Sequence, residues 1–80
     1  MNRNEITEKV ITILLQAMDN QSLELTNESD LTQFDEWDSL ARMTFISTSQ
    51  KEFGVKYSPA EMLGWTTVDS LVECISKKIS

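Results

Sequence analysis

Ser39, which lies between Asp38 and Leu40, is the residue of this chain best placed to undergo a chemical modification. The acidic stretch at residues 35–37 precedes it, and an amphipathic segment that runs to Phe53 follows it. A serine at the first position of a helix lies where backbone N–H groups are unpaired and the helix dipole is positive. Both features favour a phosphate ester at that point. The pattern therefore predicts a modification site, and such a site needs no active site around it.

The composition favours a binding or carrying protein over an enzyme. The chain has 80 residues, enough for a single domain over residues 1–80 with one modest core, but too few to enclose a substrate cavity as well. Its 7 basic and 13 acidic side chains leave a formal charge of -6, and Lys77 and Lys78 are its only adjacent basic pair. Nucleic acid and anionic membranes are therefore disfavoured as partners, because both require a basic surface.

Cysteine and histidine usage limits the chemistry further. The chain lacks histidine, the commonest general base and metal ligand, and its single cysteine, Cys74, cannot form an intrachain disulfide or a zinc site. No metal site is predicted, and Cys74 is interpreted as a buried thiol in a reducing compartment. Glu8 and Lys9 interrupt the first apolar segment, which is therefore neither a signal peptide nor a membrane span. We expect a cytoplasmic protein without membrane insertion.

The spacing of apolar residues predicts a first amphipathic helix over residues 4–18. Its apolar residues are Ile6, Val10, Ile13, Leu14, Ala17 and Met18. Residues 19–38 are acidic and show no sustained period, so a long ordered loop is predicted there. Its expected anchors are Leu23, Leu25, Leu31, Phe34 and Trp37. Loops of this length in compact domains are often functional.

Capping signals delimit a second helix that starts at Ser39. Asp38 is its expected N-cap, and Gly54 can take the left-handed conformation that ends the helix after Phe53. The predicted core-facing residues of this helix are Leu40, Met43, Phe45, Ile46 and Phe53.

Two further helices complete the predicted fold. A short capped helix is predicted from Ser58, from Pro59 and from a glutamate three residues after the serine. Gly64 is expected to end this helix. A last helix begins near residue 66 or 67, and it is predicted to bury Val68, Leu71, Val72, Ile75 and Ile79. A short extended piece at residues 55–57 is the only strand candidate. The order predicts an all-α fold, a small four-helix bundle with a long loop between helices 1 and 2 and a short helix 3.

Three segments match one family in order and spacing: Asp38-Ser39-Leu40, Glu52-Phe53-Gly54-Val55 and Thr66-Thr67-Val68. On these segments the chain resembles the acyl carrier protein family over nearly its whole length. Trp37, directly before the first segment, is a variant seen in discrete carriers of this type. A lone Asp-Ser-Leu tripeptide occurs by chance in many proteins, but the same tripeptide in register with the other two segments is a specific signal.

The resemblance implies a cofactor and the enzymes that use it. Ser39, flanked by Asp38 and Leu40, would receive a 4'-phosphopantetheine group from coenzyme A, transferred by a separate phosphopantetheinyl transferase that uses Mg²⁺. The thiol of that arm would hold an acyl or aminoacyl cargo as a thioester, and loading and transferring enzymes would act on it. The resemblance therefore implies a carrier and not an enzyme.

The acidic residues are distributed differently from the pattern of fatty-acid carriers. Those carriers display acids along the second helix, whereas here Glu52 is the only acid of that helix and the preceding loop is acidic. We therefore predict that partners dock on the loop side and on the start of the second helix. The predicted docking residues are Asp35, Glu36, Trp37, Arg42 and Met43.

The interior beside the second helix is predicted to form the cargo pocket, through Phe45, Ile46 and Trp65. Ser49 stands where the family often has a large aliphatic residue. Because an unpaired hydroxyl beside an alkyl chain is unfavourable, we expect a short or polar cargo.

Other functions remain open at this point. Within the carrier class, the chain could serve as a peptidyl or aminoacyl carrier in a nonribosomal pathway, or as a carrier in a surface-polysaccharide pathway. Outside that class, it could be an acidic interaction module that binds a basic partner and uses Ser39 only near a helix cap. A small DNA-binding helical domain is disfavoured by the negative charge. We expect a monomer, because a carrier moves among several enzymes.

Overall fold

A computed structural model describes residues 1–79 as a bundle of helices. Its α-helices are α1 (Arg3–Ala17), α2 (Ser39–Phe53), α3 (Pro59–Leu63) and α4 (Val68–Ile79). A 3₁₀-helix at Leu31–Gln33 interrupts the loop between α1 and α2. The predicted all-α fold is confirmed, and residues 55–57 form no strand. No helix within residues 1–79 is long and apolar enough to cross a bilayer.

The core forms where α1 packs against both α2 and α4. The side chains that are almost completely removed from solvent come from all three helices and from the loops between them. The largest of them are Phe45, Ile6, Leu14, Leu31, Leu71, Ile75, Val10, Val68 and Val72. Burying each such side chain favours folding by roughly 1.5–3 kcal/mol. The predicted apolar faces of α1 and α4 are therefore confirmed, although Ile79 is only half-buried.

The long loop is anchored to the core as predicted. Leu31 is fully buried, and its backbone N–H donates to the carbonyl of Thr66 at 2.8 Å. The N–H of Val68 donates in turn to the carbonyl of Ser29 at 3.1 Å, so the loop is joined to the start of α4. The remaining predicted anchors also pack against the core: Leu23, Leu25, Phe34 and Trp37.

Local caps set the helix ends. Asp38 and Ser58 cap α2 and α3 as predicted, and Gly54 ends α2 in the left-handed conformation at φ 67°. A side chain would strain the backbone there, which explains the glycine. A capping box at the start of α1, between Asn2 and Glu5, was missed by the sequence analysis.

The buried face of α2 differs from the prediction. Leu40 and Met43, predicted to face the core, are 73% and 66% exposed. The fully buried positions are instead Ala41, Phe45 and Ser49, which are four residues apart and form one ridge of the helix. The prediction chose residues by their hydrophobicity, whereas the packing places an alanine and a serine inside.

An ion pair connects the short α3 to α4 and should contribute to the acid sensitivity of folding. The carboxylate of Glu61 accepts hydrogen bonds from Lys78 Nζ at 2.9 Å and from the Ser58 backbone N–H at 2.7 Å. These contacts lower the pKa of Glu61 from 4.5 to about 2. A carboxyl whose pKa is lower in the folded than in the unfolded state stabilises the fold above the unfolded value. That contribution is lost as the pH falls toward the folded value.

We therefore expect Glu61→Gln to weaken the loss of stability with acid between about pH 5 and about pH 2. Thermal unfolding at several pH values in this window measures the effect as the slope of Tm against pH. Glu28→Gln is a matched control, because Glu28 is exposed and makes no side-chain hydrogen bond within residues 1–79. Equal slopes for the wild type and Glu61→Gln would contradict the prediction.

Candidate functional site

The N-cap of α2 sets the position of Ser39 at the start of the helix. Asp38 has an extended backbone, and its carboxylate accepts a hydrogen bond from the Ala41 N–H at 2.8 Å. Its carbonyl accepts from the N–H of Arg42 at 3.0 Å. Ser39 is thus the first residue of a 15-residue helix, and its side chain is exposed. The hydroxyl makes no hydrogen bond within the part of the chain that the structure describes, so it is available for reaction.

The electrostatics at this helix start suit a phosphodiester. The first turn of α2 contains no acidic residue after the cap. The positive end of the dipole and the first N–H groups of a helix favour a negatively charged group. The chemistry of Ser39 therefore fits esterification by a phosphate, and the geometry leaves room for it outside the core.

The loop holds the start of α2 in position through Trp37. The Trp37 ring meets the Phe45 ring edge to face, with 6.1 Å between centroids. The backbone N–H of Trp37 donates to the carbonyl of Phe34 at 3.1 Å. Because Phe45 is completely buried, this contact attaches the residues just before Ser39 to the core. Edge-to-face aromatic pairs add about 0.5–1.5 kcal/mol beyond area burial.

The predicted docking residues lie within four positions of Ser39 in the sequence, but their side chains are not equally exposed. Asp35 and Met43 are exposed. Glu36 accepts a hydrogen bond from Asn20 Nδ2 at 3.0 Å, which lowers its pKa. Arg42 is half-buried, and its guanidinium reaches the carbonyl of Met62 at 3.5 Å. Glu36 and Arg42 therefore also hold the fold together, whereas docking through the exposed Asp35 and Met43 stays a prediction.

Leu63 at the end of α3 is the most exposed large apolar side chain, at 85%, and was missed by the sequence analysis. Leu40 and Met43, on the first turns of α2, give the surface near Ser39 an apolar component. A glycine directly after Leu63 marks the end of a helix, and that was the only signal in the sequence that this leucine would be exposed.

The predicted cargo-pocket residues pack against one another and against their neighbours. Phe45 is fully buried and Trp65 is 5% exposed, with their rings edge to face at 5.6 Å. Tyr57 contacts the Trp65 ring in the same way at 4.9 Å. Ile46 is half-buried beside this group. A cargo pocket at these residues stays a prediction, and in this structure aromatic rings fill the space.

Ser49 is buried within that aromatic group, and its hydroxyl is paired. The Tyr57 hydroxyl donates to Ser49 Oγ at 2.9 Å, and Ser49 has a longer contact of 3.4 Å with the Ile46 carbonyl. The expectation of an unpaired hydroxyl is therefore wrong. A sequence cannot show this pair, because the two residues belong to different segments that meet only in the fold.

A cavity of about 250 Å³ lies beside α3 and α4. Its lining is Glu61, Gly64, Trp65, Ser70, Glu73, Cys74 and Lys77. Cys74 is half-buried and not fully buried as expected. Burial raises the pKa of this thiol, and the interaction of the sulfur with the Trp65 Nε1–H opposes that rise in part. Cys74 is therefore a weak nucleophile at neutral pH.

Comparison with known proteins identifies the family of the chain. A family model described as a phosphopantetheine attachment site matches residues 8–75. The chain belongs to this family. The chain is also similar to the solution NMR structure of holo acyl carrier protein from Geobacter metallireducens, with a TM-score of 0.80 and 27% sequence identity. That match covers 91% of this chain and 84% of the other. No curated protein matches the sequence.

The family membership confirms the resemblance to acyl carrier proteins. Such a domain is a non-catalytic carrier of covalently attached 4'-phosphopantetheine, and it interacts with the enzymes that modify it and handle its cargo. Within residues 1–79, no group of His, Cys, Asp and Glu side chains is arranged to hold a metal ion.

Proposed function

We propose that this carrier holds its cargo as a thioester on a phosphopantetheine arm esterified to Ser39. The observation that carries the proposal is the free, exposed hydroxyl of Ser39 at the start of α2 in a chain of this family. Asp38 supports the role by capping the helix, and Leu40 by adding an exposed apolar contact beside the attachment point.

The attachment chemistry needs little from the carrier itself. Ser39 Oγ forms a bond to the phosphorus of coenzyme A that carries the pantetheine. The bond between that phosphorus and the bridging oxygen of the pyrophosphate breaks. The leaving group is adenosine 3',5'-bisphosphate, and the hydroxyl proton passes to a base on the transferase. Mg²⁺ held by the transferase stabilises the charge on the phosphates. The carrier supplies an unhindered hydroxyl and a positive helix terminus.

We also propose that the cargo is short or polar. Phe45, Trp65 and Tyr57 occupy the interior beside α2, and the Ser49–Tyr57 hydrogen bond lies among them. A long alkyl chain would have to separate these rings and break that hydrogen bond. Each change is unfavourable in a close-packed core. Acyl and aminoacyl cargoes of small size both fit this proposal, and a cytoplasmic location suits the enzymes that would load them.

The proposal is tested by intact mass after incubating the whole chain with coenzyme A, Mg²⁺ and a broad-specificity phosphopantetheinyl transferase. A gain of one phosphopantetheine, located on Ser39 by peptide fragmentation, is the expected result. A folded protein that gains no mass with several transferases would overturn the proposal. The loaded protein can then be offered acyl and aminoacyl donors to separate the two cargo classes.

Partner docking on the loop side should depend on Asp35. This carboxylate is exposed, and it makes no side-chain hydrogen bond within residues 1–79. Reversing a charge at the rim of an interface mainly changes the association rate. We expect Asp35→Lys to lower kcat/KM of the transferase for this carrier about tenfold at low salt, and less at high salt.

Glu8→Lys is the matched control, because it makes the same change of charge at an exposed position on α1. If both variants lowered kcat/KM equally, net charge and not the loop surface would set the rate. The docking proposal for Asp35 would then be abandoned.

A further inference from the structure

An exposed ridge of α2 leads away from Ser39. Ser39, Met43, Ser47 and Lys51 are four residues apart, so they lie along one row of the helix surface. All four side chains are exposed. The helix rises 1.5 Å per residue, which places Lys51 about 18 Å along the axis from Ser39. An extended phosphopantetheine arm is comparable in length to this ridge.

The ridge ends in a groove of about 350 Å³. The groove residues are Ser47, Gln50, Lys51, Gly54, Val55 and Lys56. The volume lies in the range of small-molecule sites. The groove contains two ammonium groups, one hydroxyl and one amide, so its polar side chains include no acid.

Gln50 gives the groove a fixed shape. Its carbonyl accepts hydrogen bonds from the N–H groups of Gly54 and Val55, at 2.9 Å and 3.2 Å. Its side-chain oxygen accepts from the N–H of Tyr57 at 3.3 Å. The left-handed conformation of Gly54 turns the chain at the end of α2, so that Lys56 joins Lys51 in lining the same groove.

The two lysines of the groove differ from the other basic side chains of residues 1–79 in their contacts. The other basic side chains make ion pairs or hydrogen bonds: Arg3, Lys9, Arg42, Lys77 and Lys78. Within residues 1–79, Lys51 and Lys56 make no such contact. In a chain with a formal charge of -6, two unneutralised ammonium groups in one groove form a local site for an anion.

We propose that this groove binds an anionic group, such as a carboxylate, at the far end of the cargo that Ser39 carries. The inference rests on the proposed function, because it requires cargo on Ser39. The filled interior beside Phe45 and Trp65 keeps a small cargo on the surface, and the exposed ridge connects its attachment point with the groove. Tethering gives such a group an effective concentration in the millimolar range, so weak ionic contacts suffice for binding.

The test compares two cargoes of similar shape on the isotopically labelled whole chain. One sample is loaded on Ser39 from glutaryl-coenzyme A and the other from 5-methylhexanoyl-coenzyme A, in which a branched alkyl end replaces the carboxylate. We expect amide chemical-shift changes around Lys51, Gly54 and Lys56 with glutaryl and not with 5-methylhexanoyl. These changes should disappear in Lys51→Gln/Lys56→Gln and at high salt, because ionic contacts at the surface are screened. They should persist in the control Lys9→Gln/Lys77→Gln.

Each result is decisive because intact mass is recorded on the same samples. A folded chain that gains no mass from coenzyme A or from either acyl-coenzyme A with several transferases overturns the proposed function and this inference with it. Fully loaded samples with identical groove shifts for both cargoes overturn the inference alone. Glutaryl-dependent chemical-shift changes that persist in Lys51→Gln/Lys56→Gln also overturn the inference alone. If neither cargo shifts the groove but a polyglutamate peptide does, the groove belongs to an acidic partner segment and the cargo proposal is wrong.

Discussion

Replacing Ser39 with alanine is expected to abolish phosphopantetheine attachment completely while leaving the fold intact. The Ser39 hydroxyl is the atom that would form the new bond to phosphorus, and alanine has no substitute for it. Ser39 is exposed and makes no side-chain hydrogen bond within residues 1–79, so the fold loses nothing with it. The helix cap also survives, because Asp38 provides it. Intact mass after incubation with coenzyme A, Mg²⁺ and transferase measures the loss.

Ser47→Ala is the matched control for this experiment. Ser47 is another exposed serine of α2, two turns further along the same ridge, and it should be dispensable for attachment. Circular dichroism of both variants confirms that each is folded. Modification of Ser39→Ala to the same extent as the wild type would show that the arm is attached elsewhere, and the proposed site would be wrong.

Replacing Phe45 with alanine is expected to cost about 3–5 kcal/mol of unfolding free energy. Phe45 is completely buried, and its ring contacts both Trp37 and Trp65. Its removal leaves a cavity between the loop that precedes Ser39 and Trp65 in the segment before α4. A domain of this size has a total stability of about 4–12 kcal/mol, so the change removes a large fraction of it.

Met43→Ala provides the comparison on the same helix. Met43 is 66% exposed, and the substitution should change the unfolding free energy by less than about 0.5 kcal/mol. Urea denaturation followed by tryptophan fluorescence measures both variants. If Phe45→Ala does not fold, Phe45→Leu should still show a loss of about 1–1.5 kcal/mol. Equal costs for positions 43 and 45 would mean that the buried face of α2 has been assigned incorrectly.

The helix boundaries follow from short-range signals and were predicted well. Asp38, Gly54 and Ser58 act on backbone groups within a few residues of themselves, so their roles can be read from neighbouring sequence. The loop anchors were also predicted, because isolated large apolar residues in an acidic stretch have a strong tendency to be buried. The position of Ser39 at a helix start was predicted from the same short-range signals, because Asp38 caps the helix directly before it.

The buried face of α2 could not be read in the same way. Hydrophobicity favours Leu40 and Met43 for the core, yet Ala41 and Ser49 are buried in their place. A serine can be buried here because Tyr57, from the segment after α2, supplies a hydrogen bond. Leu40 and Met43 lie on the opposite side of α2, so they form part of the surface beside Ser39.

The sequence by itself determined the all-α class, the helix ends, the position of Ser39 at a helix start and the family, because each depends on local residue types and on their spacing. Only the tertiary structure decided which side of α2 is exposed, which acids hold the loop and which remain free. It also brought Lys51 and Lys56 to one groove and filled the interior with the rings of Phe45, Trp65 and Tyr57. These features depend on contacts between residues far apart in the chain, and such contacts form only when the helices pack together.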